Sequence, residues 1–318
     1  MKTLLHGVLT TVLMIALNAS AQQYPTRPIR LIVPAPPGGS TDLFARVIGT
    51  RLGTALGKQV VVDNRPGAGA IVGTDMLAKA VPDGHTIAVV YTTHTVNPSL
   101  QRKLPYDPIR DFAPITIVAS APLVLVVHPD LPVRSVKDLI DLARSKPLVY
   151  GSAGNGSGGH LSGELLKMMT GIHATHVPYK GAGPAATDVA AGQLQFQFAA
   201  QITVQGFVKS GRLRAVAVTS ARRAASLPDV PTVAESGLPG FEVINWFGFL
   251  APARTPPGIV NRLRNEMVAI LKMPEVREKL AAEGSETVGN TPEEFAAFLR
   301  EDIAKWARVV KAAGMTAD

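Results

Sequence analysis

Twice along this chain an apolar stretch of strand length runs into a glycine-rich turn and then into a helical pattern, and this repeated unit constrains the fold most strongly. In the first unit, residues 29–33 read as a buried strand, 34–40 as a Pro/Gly turn and 42–56 as a helix with apolar residues at helical spacing. A strand over 59–63, a turn over 64–69, a helix to Ala80 and a strand over 86–91 follow. The second unit opens with a β-rich run at 123–127 and a helix over 135–145. A strand at 148–150 then enters the glycine turn 151–159, and a helix covers 160–169. Strands alternating with helices pack as parallel sheet covered by helices, so the expected class is α/β. The echo between the units predicts two similar α/β lobes joined by ordinary strands, since no low-complexity tether separates them. The tail over 256–311 reads as helical, with Thr291 as N-cap, Pro292 at the first helical position and Glu293 and Glu294 in the first turn.

The length of 318 residues fits roughly two domains of about 150 residues each. Hydrophobic residues at 46% against 18% charged exclude a disordered polar chain and a charged coiled coil. The absence of cysteine removes disulfides, thiolate nucleophiles, cysteine-ligated metal centres and a lipoprotein anchor at once. Residues 1–21 read as a secretory signal peptide: Lys2 supplies the basic start, 7–17 the apolar stretch, and Ala19-Ser20-Ala21 the cleavage site. That apolar stretch is too short to span a bilayer, and no later run approaches the roughly 20 apolar residues needed. The formal net charge of +8 favours encounter with anions. Nucleic acid is not the expected partner, because there is no Lys/Arg run or basic-aromatic stripe and the signal peptide directs the chain out of the cytoplasm.

Several enzymatic motifs fail on inspection. Gly154, Gly156 and Gly159 match G-x-G-x-x-G, but residues 173–180 contain no acidic group to hold a ribose hydroxyl, and no phosphate loop of the G-x-x-x-x-G-K-[ST] type occurs. Ser40, Ser152 and Ser157 sit in glycine-rich turns, yet none lies in G-x-S-x-G. His173 and His176 fall on a strand pattern, where positions three apart face opposite sides of the sheet, so they read as separate histidines and no metal site is expected. His160, at the start of the helix after the second glycine turn, is open to two readings: a ligand contact or a role in holding the helix start.

The glycine turns themselves carry the chemistry. Each places flexible backbone at a helix N-terminus, where unpaired N–H groups and the positive end of the helix dipole attract an anion. Gly38, Gly39, Gly156, Gly158 and Gly159 allow close approach, and Ser40, Thr41, Ser152 and Ser157 add hydroxyls. Asp42 would repel an anion if turned inward, and its place at the helix start predicts a capping role. Two such turns facing each other form an anion clamp.

At these residues the sequence resembles the Bug-type solute-binding proteins of tripartite tricarboxylate transporters. The likeness is carried by Tyr24-Pro-x-Arg-Pro-Ile29, Ile32-Val-Pro-x-Pro-Pro-Gly-Gly39 with Asp42 and Ala45-Arg46, Val61-Val-x-Asn64-Arg-Pro-Gly-Ala-Gly69 and Pro82-Asp-Gly84. It continues in Leu104-Pro-Tyr-Asp-Pro108, Tyr150-Gly-Ser-x-Gly-x-Gly-Ser157 with His160-Leu161, His176-Val-Pro-Tyr-Lys-Gly181, Leu227-Pro-Asp-Val-Pro-Thr232 and Thr291-Pro-Glu-Glu-Phe295. The resemblance covers essentially the whole chain after the signal peptide. It implies a type II-like periplasmic binding protein: two lobes, two crossover strands, and a small carboxylate held in the cleft between them by Venus-flytrap closure. The lobes then span 22–122 with 246–318, and 123–245.

Carried onto this chain, the first binding loop is Pro34, Ala35, Gly38, Gly39, Ser40, Thr41 and Asp42. The second is Ser152, Ala153, Gly154, Asn155, Gly156, Ser157 and His160. Walls come from Tyr91, Thr92, Thr93, His94, Lys180, Gly181, Phe198, Ala199 and Trp246. Ala35 stands where a bulkier aromatic is common in the family, Ser40 where glycine is common, Thr92-Thr93-His94 where a glycine-containing stretch is frequent, and Ala199 where an aspartate often pairs with a ligand amine. The expected cargo is therefore a simple mono- or dicarboxylate, aliphatic or aromatic, rather than an amino acid. The resemblance further implies a periplasmic monomer without catalytic activity or cofactor, partnered by the membrane subunits of a tripartite tricarboxylate-type transporter. The alternative partner is a signalling receptor to which the loaded protein is presented.

Overall fold

The computed structural model describes residues 24–316; the expected signal peptide lies outside them. In the first unit β1 (Ile29–Val33), α1 (Ser40–Leu56), β2 (Val60–Asn64), α2 (Ile71–Ala78), β3 (Thr86–Tyr91) and α3 (Thr93–Leu100) follow in order. β1 pairs in parallel with both β2 and β3. Helix α1 starts two residues earlier than its apolar pattern suggests, with Gly39 as N-cap, so Ser40 and Thr41 belong to its first turn.

Strand β4 (Phe112–Val127) is 16 residues long and begins well before the β-rich run visible at 123–127. Its early part contains Pro114 and Pro122, residues that interrupt a strand pattern. A register shift between Pro114 and Thr116 accommodates the first proline, a second shift falls between Ile117 and Ala119, and Pro122 ends the pairing with β9 opposite Ile244.

Beyond β4 come α4 (Val136–Ser145), β5 (Leu148–Ser152), α5 (Gly158–Thr170), β6 (Ala174–Pro178), α6 (Ala182–Ala190), β7 (Phe196–Ala200), α7 (Gln201–Lys209) and β8 (Arg214–Val218). β5 lies parallel to β6 and β7. Strand β9 (Ile244–Pro252) returns antiparallel to both β3 and β4. The remaining elements are α8 (Pro257–Leu271), α9 (Pro274–Ala282), β10 (Glu286–Thr287) and α10 (Pro292–Ala313).

Strand β4 changes partners along its length. From Phe112 to Pro122 it pairs with β9, and from Leu123 to Val127 with β7 and β8. One long strand thus runs from the β1–β3 sheet into the β5–β7 sheet. Apolar residues cover each sheet on both faces, as α/β packing requires: Leu31, Phe44, Ile48 and Phe249 on one side of the first and Ile32, Leu77 and Trp246 on the other. Leu125, Tyr150 and Phe198 lie on one side of the second, with Val126, Val189 and Ala199 on the other.

Helix α10 spans both regions. Phe295 and Leu299 near its start pack with Trp246 and Leu250, whereas Trp306, Val309 and Val310 near its end pack with Leu161, Phe196 and Val96 of α3. The expected start signal forms as a capping box: Thr291 Oγ1 accepts from the Glu294 N–H at 3.2 Å, and Glu294 accepts from the Thr291 N–H at 2.8 Å.

Candidate functional site

A cavity of about 320 Å³ lies where the two units meet. Ser40 and Thr41 from the start of α1 line it, with Tyr91, Thr92 and Thr93 from the end of β3 and the start of α3. Ala153, Asn155, Gly156, Ser157 and Gly158 contribute from the second glycine loop and the start of α5, and Asn245, Trp246 and Phe247 from β9. Three helices, α1, α3 and α5, therefore present their first residues to one space. Among the described residues no side chain caps α1 or α3, and the Ser157 hydroxyl at the head of α5 accepts the His160 N–H at 3.4 Å. First-turn N–H groups and the positive ends of three helix dipoles make this space favourable for negative charge.

Among the described residues the lining contains hydroxyls, amides and aromatic rings but no Asp, Glu, Lys, Arg or His. Asp42, the nearest carboxylate in sequence, is buried and turned back into its own loop. It accepts from the Gly38 N–H at 3.0 Å, Arg46 Nε at 2.9 Å and Asn64 Nδ2 at 3.0 Å. Burial raises its pKa, but these hydrogen bonds and the Arg46 charge prevail and bring it down to about 2. The capping role expected of Asp42 is thus a loop clamp: Gly39, not Asp42, is the N-cap. A larger hollow of about 970 Å³, between Tyr24, the end of α1 and the start of α8, shares no residue with the glycine loops.

The chain's family follows from comparison with known proteins. Over residues 44–315 it matches the model of the TctC family, described as the tripartite tricarboxylate transporter family receptor. The chain belongs to this family. It is 39% identical to protein BugT of Bordetella pertussis over 312 residues, 97% of this chain and 96% of that one. Among solved structures, R. palustris Rpa4515 with adipate shares 38% identity with a TM-score of 0.82, covering 92% of this chain and 99% of that chain. MatC from Rhodopseudomonas palustris with bound malate shares 31% identity with a TM-score of 0.78, covering 90% and 100%. As a TctC-family member the chain is a solute-binding protein and not an enzyme.

In this TctC-family chain ten residues expected at the site line the cavity: Ser40, Thr41, Tyr91, Thr92, Thr93, Ala153, Asn155, Gly156, Ser157 and Trp246. The others lie around or behind it. Pro34, Ala35, Gly38 and Gly39 lead into α1 without lining the space, although the Ala35 carbonyl accepts from Asn64 Nδ2 at 3.1 Å. The buried His94 ring sits at 2.9 Å from the Pro108 carbonyl through Nε2 and stacks parallel to Tyr106, and burial pushes its pKa down to about 4 despite that carbonyl.

Phe198 and Ala199 on β7 are buried on opposite faces of the second sheet, each in a core cluster. Their side chains fill those cores because β7 is the strand next to β4. Lys180 is exposed, while the Gly181 N–H reaches the Ala153 carbonyl at 3.3 Å and ties the β6–α6 connection to the second loop. Ser152, Gly154 and His160 do not line the space but bond within the loop: the Gly154 N–H reaches Ser152 Oγ at 3.1 Å and the Gly156 N–H reaches His160 Nδ1 at 3.2 Å.

Two lining residues, Asn245 and Phe247, escaped the sequence reading, and Gly158 was read only as a glycine allowing close approach. Gly158 has a visible reason to be glycine, since a Cβ there would overlap the Asn245 side-chain amide. Asn245 and Phe247 flank the recognised Trp246. The signal available for them was that adjacency, but only the pairing of β9 with β3 and β4 brings their strand to the cavity.

Proposed function

We propose that this protein captures a small organic carboxylate, an aliphatic or aromatic mono- or dicarboxylate, and delivers it to the membrane subunits of a tripartite tricarboxylate-type transporter. The observation that carries the reading is the convergence of the α1, α3 and α5 N-termini on a cavity with no charged side chain in its lining. Such a site neutralises a carboxylate with backbone N–H groups, hydroxyls and the Asn155 and Asn245 amides. An unpaired polar group in a closed site costs about 1–3 kcal/mol, so selectivity follows from how many ligand oxygens are matched. The adipate and malate in two solved relatives support the same ligand class.

The lobes are residues 22–122 with 246–318, and 123–245, a division supported by the change of β4 partners between Pro122 and Leu123. Ligand draws them together by hinge closure about β4 and β9. The protein acts as a monomer in the periplasm after cleavage behind Ala21.

A thermal-shift screen of the mature protein against dicarboxylates, tricarboxylates, aromatic acids and amino acids tests the reading. A ligand bound only by the folded state adds about 2.7 kcal/mol at a hundredfold excess over Kd. Stabilisation by carboxylates alone is the expected result; stabilisation only by neutral or cationic compounds overturns it.

A further inference from the structure

The second glycine loop rests on two stacked imidazoles that lie outside the cavity lining. His160 on α5 and His176 on β6 lie with ring centroids 3.7 Å apart and planes 8° from parallel. His160 Nδ1 accepts the Gly156 N–H at 3.2 Å. His176 Nε2 is 2.7 Å from Ser152 Oγ, which accepts the Gly154 N–H at 3.1 Å and lies 3.0 Å from the Gly154 carbonyl. Each imidazole is thus connected to one of the two loop glycines with left-handed backbone, Gly154 at φ 127° and Gly156 at φ 72°. Asn155 between those glycines and Ser157 after them line the cavity.

We propose that His160 and His176 are positioning residues of the ligand site: a stacked imidazole pair, His160 neutral, that fixes Gly154 and Gly156 so that Asn155 and Ser157 face the ligand. The proposal rests on the reading of the cavity as a carboxylate site. An imidazole nitrogen can accept only while it carries a lone pair, so the Gly156 bond requires a neutral His160 with its proton on Nε2. A proton on Nδ1 would set two donors against each other under the loop.

The surroundings keep this arrangement. Glu164 on α5, 3.9 Å from His160 Nε2, accepts from Tyr150 Oη on β5 and Lys167 Nζ on α5, both at 2.8 Å. From α3 and α10 the same core receives the apolar side chains of Val96, Trp306 and Val309. Burial, then the charges of His176 and Lys167, push the His160 pKa down to about 3, which keeps Nδ1 an acceptor at neutral pH.

The test uses the mature protein in three forms: wild type, His160→Leu, which fills the space without an acceptor, and His160→Asn, whose Oδ1 replaces Nδ1. Nitrogen NMR of the wild-type rings is expected to show His160 with its proton on Nε2 and no titration between pH 8 and 5. Affinity for the best carboxylate of the screen is expected to fall about tenfold in His160→Leu, from one lost loop contact, and to recover mostly in His160→Asn. Exchange of the Gly156 amide, measured without ligand, should accelerate in His160→Leu and slow again in His160→Asn. A proton on Nδ1 in the wild type, or wild-type affinity and Gly156 exchange in His160→Leu, overturns the proposal. If the wild type binds no carboxylate, the function reading fails while the ring tautomer and amide exchange still decide this inference. The wild-type tautomer likewise decides it if His160→Leu does not fold.

Discussion

The indole of Trp246 donates from Nε1 to Asp302 Oδ2 at 3.2 Å, and the Thr95 hydroxyl meets the same oxygen at 2.6 Å. One carboxyl on α10 therefore holds a cavity-wall ring on β9 and the first turns of α3, whose N-terminus faces the ligand space. Burial raises the Asp302 pKa, and the Thr95 and Trp246 hydrogen bonds with the Lys305 charge only partly oppose that. A carboxyl raised in the folded state loses stability as pH climbs above its unfolded value, because the unfolded chain releases its proton more readily.

Asp302→Asn keeps one carbonyl oxygen that can accept from both the indole and the Thr95 hydroxyl, without a buried charge. Its melting temperature at pH 7 should equal or exceed that of the wild type. Asp302→Leu strands the Trp246 N–H, while the Thr95 hydroxyl can turn to the Thr92 carbonyl at 2.9 Å, and should lose about 1–3 kcal/mol in urea unfolding. Equal stability of the Leu and Asn variants would sink the assignment of Asp302 as the anchor of Trp246.

Glycine positions separate fold from binding. A Cβ on Gly158 overlaps the Asn245 amide and comes within 3.1 Å of Leu123 Cδ1, whereas one on Gly39 meets nothing within 4 Å at an ordinary negative φ of −86°. Gly158→Ala should displace Asn245 and weaken carboxylate binding about tenfold, the effect of one mispaired polar contact. Gly39→Leu should leave the melting temperature unchanged while obstructing the approach to the α1 N-terminus. Calorimetric titration of both variants reads the affinities, and undiminished binding by Gly39→Leu would remove the first loop from the ligand path.

The bounds of β1 and β3 were legible because each is a short apolar run ended by a turn or a helix start, and the Thr291 capping box was legible as spacing alone. Local chemistry also identified the second glycine loop, where Ala153, Asn155, Gly156 and Ser157 line the cavity. What sequence could not supply was direction. His94, Phe198 and Ala199 sit beside the right segments, yet strand pleat and helix phase turn their side chains into cores. Asn245 reaches the cavity only through the long-range pairing of β9 with β4, which no local pattern encodes.

The end of α10 should matter beyond its own helix. Trp306 is 1% exposed and packs in the core of the second sheet, although α10 begins against the first. Trp306→Ala should cost about 3–5 kcal/mol, as for other large-to-small changes of buried aromatics. Denaturant unfolding followed by tyrosine and far-ultraviolet signals measures it, and a loss below about 1 kcal/mol would mean that the α10 end carries little of the packing between the two sheets.

Acid should destabilise the protein in two stages whose order follows from the groups concerned. Burial lowers His160 to about 3 and His94 to about 4, so in the folded protein both stay neutral well below the ordinary imidazole range. The unfolded chain takes up those protons near pH 6.5, so the stability from neutral burial is complete above that pH and drains as pH falls toward 4. Each group can contribute up to about 1.4 kcal/mol per pH unit across its window. Asp42, at about 2, acts later: its stabilising bonds persist above its unfolded value near 3.8 and vanish as pH drops through 2. Melting temperatures from pH 7.5 to 4.5 should therefore decline in the wild type and flatten in His94→Asn and His160→Asn. Asp42→Asn should leave that slope intact while altering stability below pH 4. An identical slope in the wild type, His94→Asn and His160→Asn would overturn the neutral burial of the two rings.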